Sequence, residues 1–319
     1  MEEFKRVFGI KFIMVFTVTV LLNIGLFVYS SSEGKSMSDI RQETHYRQWI
    51  IGELSDMQPE EALEIADIQS DSVIKRKYDE LESEEQTVYS RQLNKIKEQL
   101  EYIIKYPEDI KNIQNNADTL KSFSIFADKN SFTYNNIQKT AKDFKRVEGV
   151  QLYLTDKAVS GFVTYYYIYY LALILNVFVL YELFGERENG MWCIVHTSKS
   201  GRAKLAFNRT MIITASAFII TGVLFFTTFL TSFILYKTAS INAPIQNIES
   251  FSRFSLPMSQ LQYIIYDFLY SFCAVLTLTA IVWMAFVFIR HRNIAVTVIA
   301  VFMGVEMFLY QKIQSQSVY

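Results

Sequence analysis

The sequence predicts an all-α polytopic membrane protein, with about five transmembrane helices and a large α-helical extracytoplasmic insertion between the first and second. Three observations carry this. Hydrophobic residues make up 51% of the chain and charged residues 20%, and the two populations are segregated along it. Five apolar runs are long enough to cross a hydrocarbon core of about 30 Å. The Lys and Arg residues that flank those runs fall mostly in the loops that this topology places inside, while the short outer loop has only Lys237 and Arg253, as the positive-inside rule requires. A net charge of −1 gives no argument for a nucleic-acid partner. Cys193 and Cys273 lie outside the large polar segment, and His45, His196 and His291 are scattered, so neither a disulfide framework nor a metal site is expected. No cofactor is expected either.

Taken in order, residues 1–30 form an N-terminal tail and the first span. Lys5, Arg6 and Lys11 precede the apolar run Phe12–Tyr29 and place the N-terminus in the cytoplasm. A cleaved signal peptide is the competing reading, with Ser30, Ser31 and Ser32 as small residues. The run is longer than a usual signal core, which favours retention. Residues 31–160 are polar and Gly-poor, with about six more acids than bases. Pro59-Glu60-Glu61 reads as the first turn of a helix, because proline is tolerated there and acids face the positive end of the macrodipole. Ile65, Ile68, Tyr78, Leu81, Leu93, Ile96, Leu100 and Ile103 then recur near three- and four-residue spacing. Pro107-Glu108-Asp109 repeats the start signal, and a third helical stretch spans about 136–147. About 130 residues can own a small core, and paired charged helices suit a scaffold as well as a ligand-binding domain.

The membrane bundle occupies 161–319, with spans at about 161–183, 207–236, 261–289 and 294–310. Tyr165, Tyr166, Tyr167, Tyr169 and Tyr170 open the second span as an aromatic belt. The third carries Thr210, Thr214, Ser216, Thr221, Thr227 and Thr228, which suit a polar conduit or hydrogen bonds to neighbouring helices. Between these two spans lies a charged island, Tyr181–Arg209. Glu182, Glu186 and Glu188 open it, and Lys199, Arg202, Lys204 and Arg209 close it. Met191, Trp192, Ile194 and Val195 share a face at helical spacing, so residues 184–206 read as an amphipathic helix on the membrane surface.

The pattern Glu186-x-Glu188-x-Gly190, then Thr197-Ser198, then Gly201-Arg202 with Arg209 seven positions on, resembles the ABC-2 type permeases. Those are the membrane subunits of bacterial ATP-binding-cassette exporters. Where Arg209 stands the family usually has Lys, which keeps the charge. The resemblance implies that the island is a coupling helix docking on a separate ATPase subunit, through Glu186, Glu188, Gly190, Trp192, Ser198, Gly201, Arg202 and Arg209. It also implies a second copy or a homologous permease as partner, within the lipid bilayer of the cytoplasmic membrane. The family has six spans with a re-entrant hairpin before the sixth; this chain stops after the fifth, which implies a truncated or short form.

Asp267 and Glu306 are the acids inside the last two spans, and a charge in lipid must find an interior, water or headgroups. Asp267 lies near the outer interface. Glu306 lies deeper, and the resemblance implies that it lines the re-entrant mouth; with Thr221 and Thr228 it is the candidate translocation path. Phosphate-cradling glycine loops, Walker motifs and nucleophile elbows are lacking, so the chain is read as a transporter subunit and not an enzyme. The function implied is export of a peptide-like or amphipathic cargo with energy from the ATPase. The alternative is a membrane sensor whose helical outer domain binds a ligand.

Overall fold

The computed structural model describes residues 4, 7–32, 34–67, 72–123, 129, 131–185, 201–237, 240–289 and 291–316. Among them the chain is helical, and the β pairing is confined to an isolated bridge between Pro244 and Ser259. Three helices are long and apolar enough to cross a membrane: α1 (Ile10–Ser32), α9 (Gly201–Tyr236, apolar from Ala203) and α10 (Gln260–Phe288). Two more belong to the same part of the sequence. The helix α8 (Tyr167–Leu183) is apolar but has 17 residues. The last, α11 (Arg292–Gln316), includes Glu306 and Lys312 and is not among the three.

Two compact units divide the chain. The first comprises Met1–Tyr29, Tyr165–Leu230 and Asp267–Tyr319. Within it α8 is the buried element: Leu171, Ala172, Leu175, Val179, Leu180 and Leu183 are all shielded. Its apolar residues go all round the helix, which suits a position surrounded by protein. By contrast α1, α10 and α11 expose large apolar side chains, among them Ile13, Leu21, Tyr266, Ile281, Phe302 and Phe308. Such surface is stable in lipid, where a Leu or Phe costs nothing to expose.

The second unit comprises Ser30–Thr164 and Thr231–Tyr266. Its helices are α2 (Met37–Leu54), α3 (Pro59–Ile65), α4 (Val73–Asp79), α5 (Ser83–Ser122), α6 (Phe132–Phe144) and the short α7 (Ala158–Val163). Local chemistry sets their starts. Ser36 and Asp39 form a reciprocal capping box on α2, and Ser72 and Ser131 cap α4 and α6. Pro59 sits in the first turn of α3, as its start signal requires. The expected long helical run beyond it is broken instead into α3, α4 and the beginning of α5. The second start signal also reads differently, because Pro107 lies inside the 40-residue α5. There Ile103, Tyr106 and Ile110 continue the buried stripe on both sides of the proline, so packing offsets the lost backbone hydrogen bond.

The core of this unit is built on one face of α5. Tyr89, Leu93, Ile96, Leu100 and Ile103 recur at three- and four-residue spacing and are buried against Tyr46, Ile50 and Leu54 of α2, Ala62 of α3 and Ile74 of α4. A stretch distant in sequence joins it. Ala243, Ile245 and Ile248 are buried, and the Tyr102 hydroxyl donates to the Gln246 carbonyl oxygen at 2.7 Å. The Gln246 amide donates in turn to the carbonyls of Phe254 (3.0 Å) and Leu256 (2.8 Å). Within what the sequence predicts as a polar outer loop, 237–260, residues 240–260 are therefore a packed element of the unit.

Two tyrosines on α5 test this account. Tyr89 is fully buried and donates to the Ile74 carbonyl oxygen at 3.2 Å. Tyr106 is equally buried, but its hydroxyl has no hydrogen-bond partner among the described residues, and burial pushes the phenol up to about 12. Removing a satisfied buried hydroxyl costs about 1 kcal/mol, and removing an unsatisfied one costs nothing or stabilises. Thermal unfolding should show Tyr89→Phe lowering the Tm while Tyr106→Phe leaves it unchanged or raises it.

Candidate functional site

The island that the sequence singles out falls largely outside the described residues: Glu186, Glu188, Gly190, Trp192 and Ser198 are among 186–200. Its two ends are described. Gly201 and Arg202 open α9. At the other end α8 stops at Leu183, where the Phe184 amide still donates to the Leu180 carbonyl oxygen at 3.0 Å.

A cluster of aromatic rings and guanidinium groups holds these ends. Arg209 is 4% exposed, and its guanidinium lies 5.5 Å from the centre of the Phe184 ring. Phe184 stacks on Phe286 of α10 at 5.7 Å. Arg292, at the start of α11, lies 4.2 Å from the Tyr181 ring, whose hydroxyl donates to Asn293 Oδ1 at 3.1 Å. A Cβ at Gly185 would come within 2.8 Å of Arg292 Nη1, so glycine makes room for that approach. Arginine suits such positions because its planar, weakly hydrated cation packs on ring faces. Arg209 therefore anchors the start of α9, with its charge turned into protein. Sequence reasoning read Arg292 only as part of a basic turn; the aromatic partners at Tyr181 and Phe184 were visible as residues but not as a pair of clamps.

The candidate translocation residues do not share one surface. Thr221 and Thr228 are fully buried on α9, whereas Glu306 is exposed on α11. Thr228 is instead part of a polar knot that sequence reasoning missed. Asn23 of α1, itself fully buried, donates through Nδ2 to Thr228 Oγ1 at 2.8 Å, and is also within reach of Thr227 Oγ1 at 3.3 Å and the Leu224 carbonyl at 3.2 Å. Its Oδ1 accepts from the Tyr165 hydroxyl at 3.0 Å. A lone Asn in an apolar run was the signal, since an amide in lipid must find partners.

Further polar bonds tie α8 to its neighbours. The Ser216 hydroxyl lies 3.2 Å from Asn176 Oδ1, and the Ser271 hydroxyl donates to the Tyr169 hydroxyl at 3.1 Å. Each polar group is thus placed where two helices meet. Thr221 differs: its buried hydroxyl lacks a partner among the described residues.

No cluster of His, Cys, Asp and Glu able to hold a metal occurs among the described residues. Compared with protein-family models, curated proteins and solved structures, the chain matches none.

The knot makes a direct prediction. Interhelical hydrogen bonds in membranes average about 0.6 kcal/mol and reach about 2 kcal/mol. A double-mutant cycle on Asn23→Ala and Thr228→Val, read by unfolding in mixed micelles, should give a coupling in that range. Leu22→Ala, on an exposed neighbour, should show no coupling to Thr228→Val.

Proposed function

We propose that the chain is the permease subunit of an ATP-binding-cassette exporter of ABC-2 type, in a bacterial cytoplasmic membrane. The observation that carries this reading is the acid-to-base island from Glu186 to Arg209, set between two apolar helices. A lever needs stiff ends, and the two cation–ring contacts at Phe184 and Tyr181 supply them where α8 ends and α9 and α11 begin. In this reading α8 and α11 also cross the membrane, giving five spans. The short α8 is tolerated because protein, not lipid, surrounds it. The N-terminus and the island are cytoplasmic, and the second unit's helical domain is outside.

Glu306 supports a second permease copy or a homologue as partner. It is an exposed acid on a helix that also exposes Val301, Phe302, Val305 and Phe308. A carboxylate among lipid-facing residues is costly unless a partner or a water-filled path covers it. Energy comes from a separate ATPase subunit, and the permease contributes differential contact with that partner in two states. The cargo class in this reading is peptide-like or amphipathic. A membrane sensor is the second reading, favoured by a cavity in the outer domain described below.

The experiment is purification of tagged protein from the native host in mild detergent. An ATP-binding-cassette ATPase should accompany the wild type, and Glu188→Lys should lose it while eluting at the same size. A folded wild type that carries no such ATPase contradicts the permease reading.

A further inference from the structure

Between the end of α6 and the start of α7 the chain runs without helix through Val150–Thr155. Over residues 151–154 the side chains alternate: Gln151 and Tyr153 are exposed and Leu152 and Leu154 are buried, and Thr155, also buried, ends the pattern. That two-residue period is the signature of an extended strand. In an extended chain the peptide groups of successive residues face opposite edges. One edge of this strand is held. The Tyr153 carbonyl accepts from Asn247 Nδ2, and the Thr155 carbonyl accepts from Arg47 Nη2 at 3.0 Å. Gln99, which accepts from Arg47 at 2.9 Å, also donates to Thr155 Oγ1 at 3.1 Å. Arg47 is 8% exposed, and burial pushes its guanidinium below the usual range.

The opposite edge belongs to Leu152 and Leu154. Their amide N–H and carbonyl groups have no protein partner among the described residues. On this edge the Val150 amide turns back to the Val147 carbonyl, and an extended stretch tied at Tyr153 and Thr155 on one edge and unpaired at Leu152 and Leu154 on the other is a template for another strand. Beside it lies a cavity of about 670 Å³. Ile103, Ile104 and Ile110 of α5 line it with Leu54 and Pro59, and Val147–Leu154 forms a wall. Its volume lies within the range of ligand sites. The charged groups of its lining are Glu60, Glu148 and Lys111, an acidic balance that matches the acid excess of residues 31–160.

We propose that this cavity is a binding site for an extended peptide that alternates apolar and basic side chains. The peptide adds a strand to the free edge of Leu152 and Leu154. Its apolar side chains enter the cavity on every second residue, and its basic ones face the acidic rim. The hydrogen bonds to the main chain recognise a peptide as such, and the cavity and the charge select among peptides. The site is contained in one unit and requires no particular role for the membrane helices.

The test uses the full-length protein in detergent micelles and a fluorescein-labelled octapeptide, acetylated and amidated, alternating valine and lysine. Fluorescence anisotropy should show saturable binding. Two control peptides carry N-methyl groups on all the valines or on all the lysines; each blocks one edge. One of the two should bind about tenfold more weakly and the other nearly as well as the parent. Ile104→Arg, which places a cation in the cavity, should weaken the parent peptide by at least about tenfold with the helical circular dichroism retained. Absence of saturable binding, equal binding of both N-methylated peptides and the parent, or unchanged binding by Ile104→Arg would each overturn the proposal. So would competition by lauric acid against a peptide whose binding ignores N-methylation, which would assign the cavity to an acyl chain. The N-methyl comparison alters only the ligand, so it decides the matter even if the variant fails to fold.

Discussion

In hydrocarbon, a polar group without a partner costs more than most contacts return, and that constraint governs the first unit. It keeps α1, α9 and α10 as long unbroken helices, because a helix satisfies its own backbone. It also decides where polar side chains can sit. Asn23, Asn176, Ser216, Thr228 and Ser271 are all buried, and all make their bonds to a neighbouring helix or to the backbone of their own. The bundle is therefore specified by a few hydrogen bonds laid over packing that lipid would equal. Apolar surface faces outward without penalty, so the exposed residues of α10 and α11 are no defect.

The second unit obeys the ordinary rule for water. Its stability rests on the buried stripe of α5, and its charges stay at the surface in pairs such as Lys35–Glu43 at 2.9 Å and Arg91–Glu43 at 3.2 Å. Pairs near the surface contribute little, even with Glu43 half-buried, so packing around Tyr89 and Ile50 carries most of the fold. Arg47 is the exception. Its buried Nη2 donates to Gln99 Oε1 and to the Thr155 carbonyl oxygen, which ties the end of the Val150–Thr155 stretch to the helices, while its Nε has no partner among the described residues.

Much of this was legible in the sequence, for identifiable reasons. Apolar runs and proline at a helix start depend on nearby residues, so α1, α3, α9 and α10 could be read directly. The period near 3.6 likewise marked the buried stripe of α5. Pro107 misled because a local start signal was overridden by tertiary contacts at Ile103 and Ile110. The 237–260 loop, the Asn23 knot and the strand clamp escaped because each joins residues about 90 to 205 positions apart. Of the candidate site, Arg209 was found through a motif, yet its burial against Phe184 could not be read from spacing. Glu306, Thr221 and Thr228 were grouped by chemistry alone; the two threonines are buried on α9 and Glu306 is exposed on α11.

The proposed permease reading turns on one claim: that the helical domain and the charged island lie on opposite sides of the membrane. Labelling with a membrane-impermeant maleimide tests it most directly, in a Cys193→Ser, Cys273→Ser background carrying either Ser122→Cys or Ser198→Cys. The account expects Ser122→Cys to react in intact cells and Ser198→Cys to react only after the membrane is opened. Reaction of both from the same side would contradict it, since the island could then not meet a cytoplasmic ATPase while the domain faces outward.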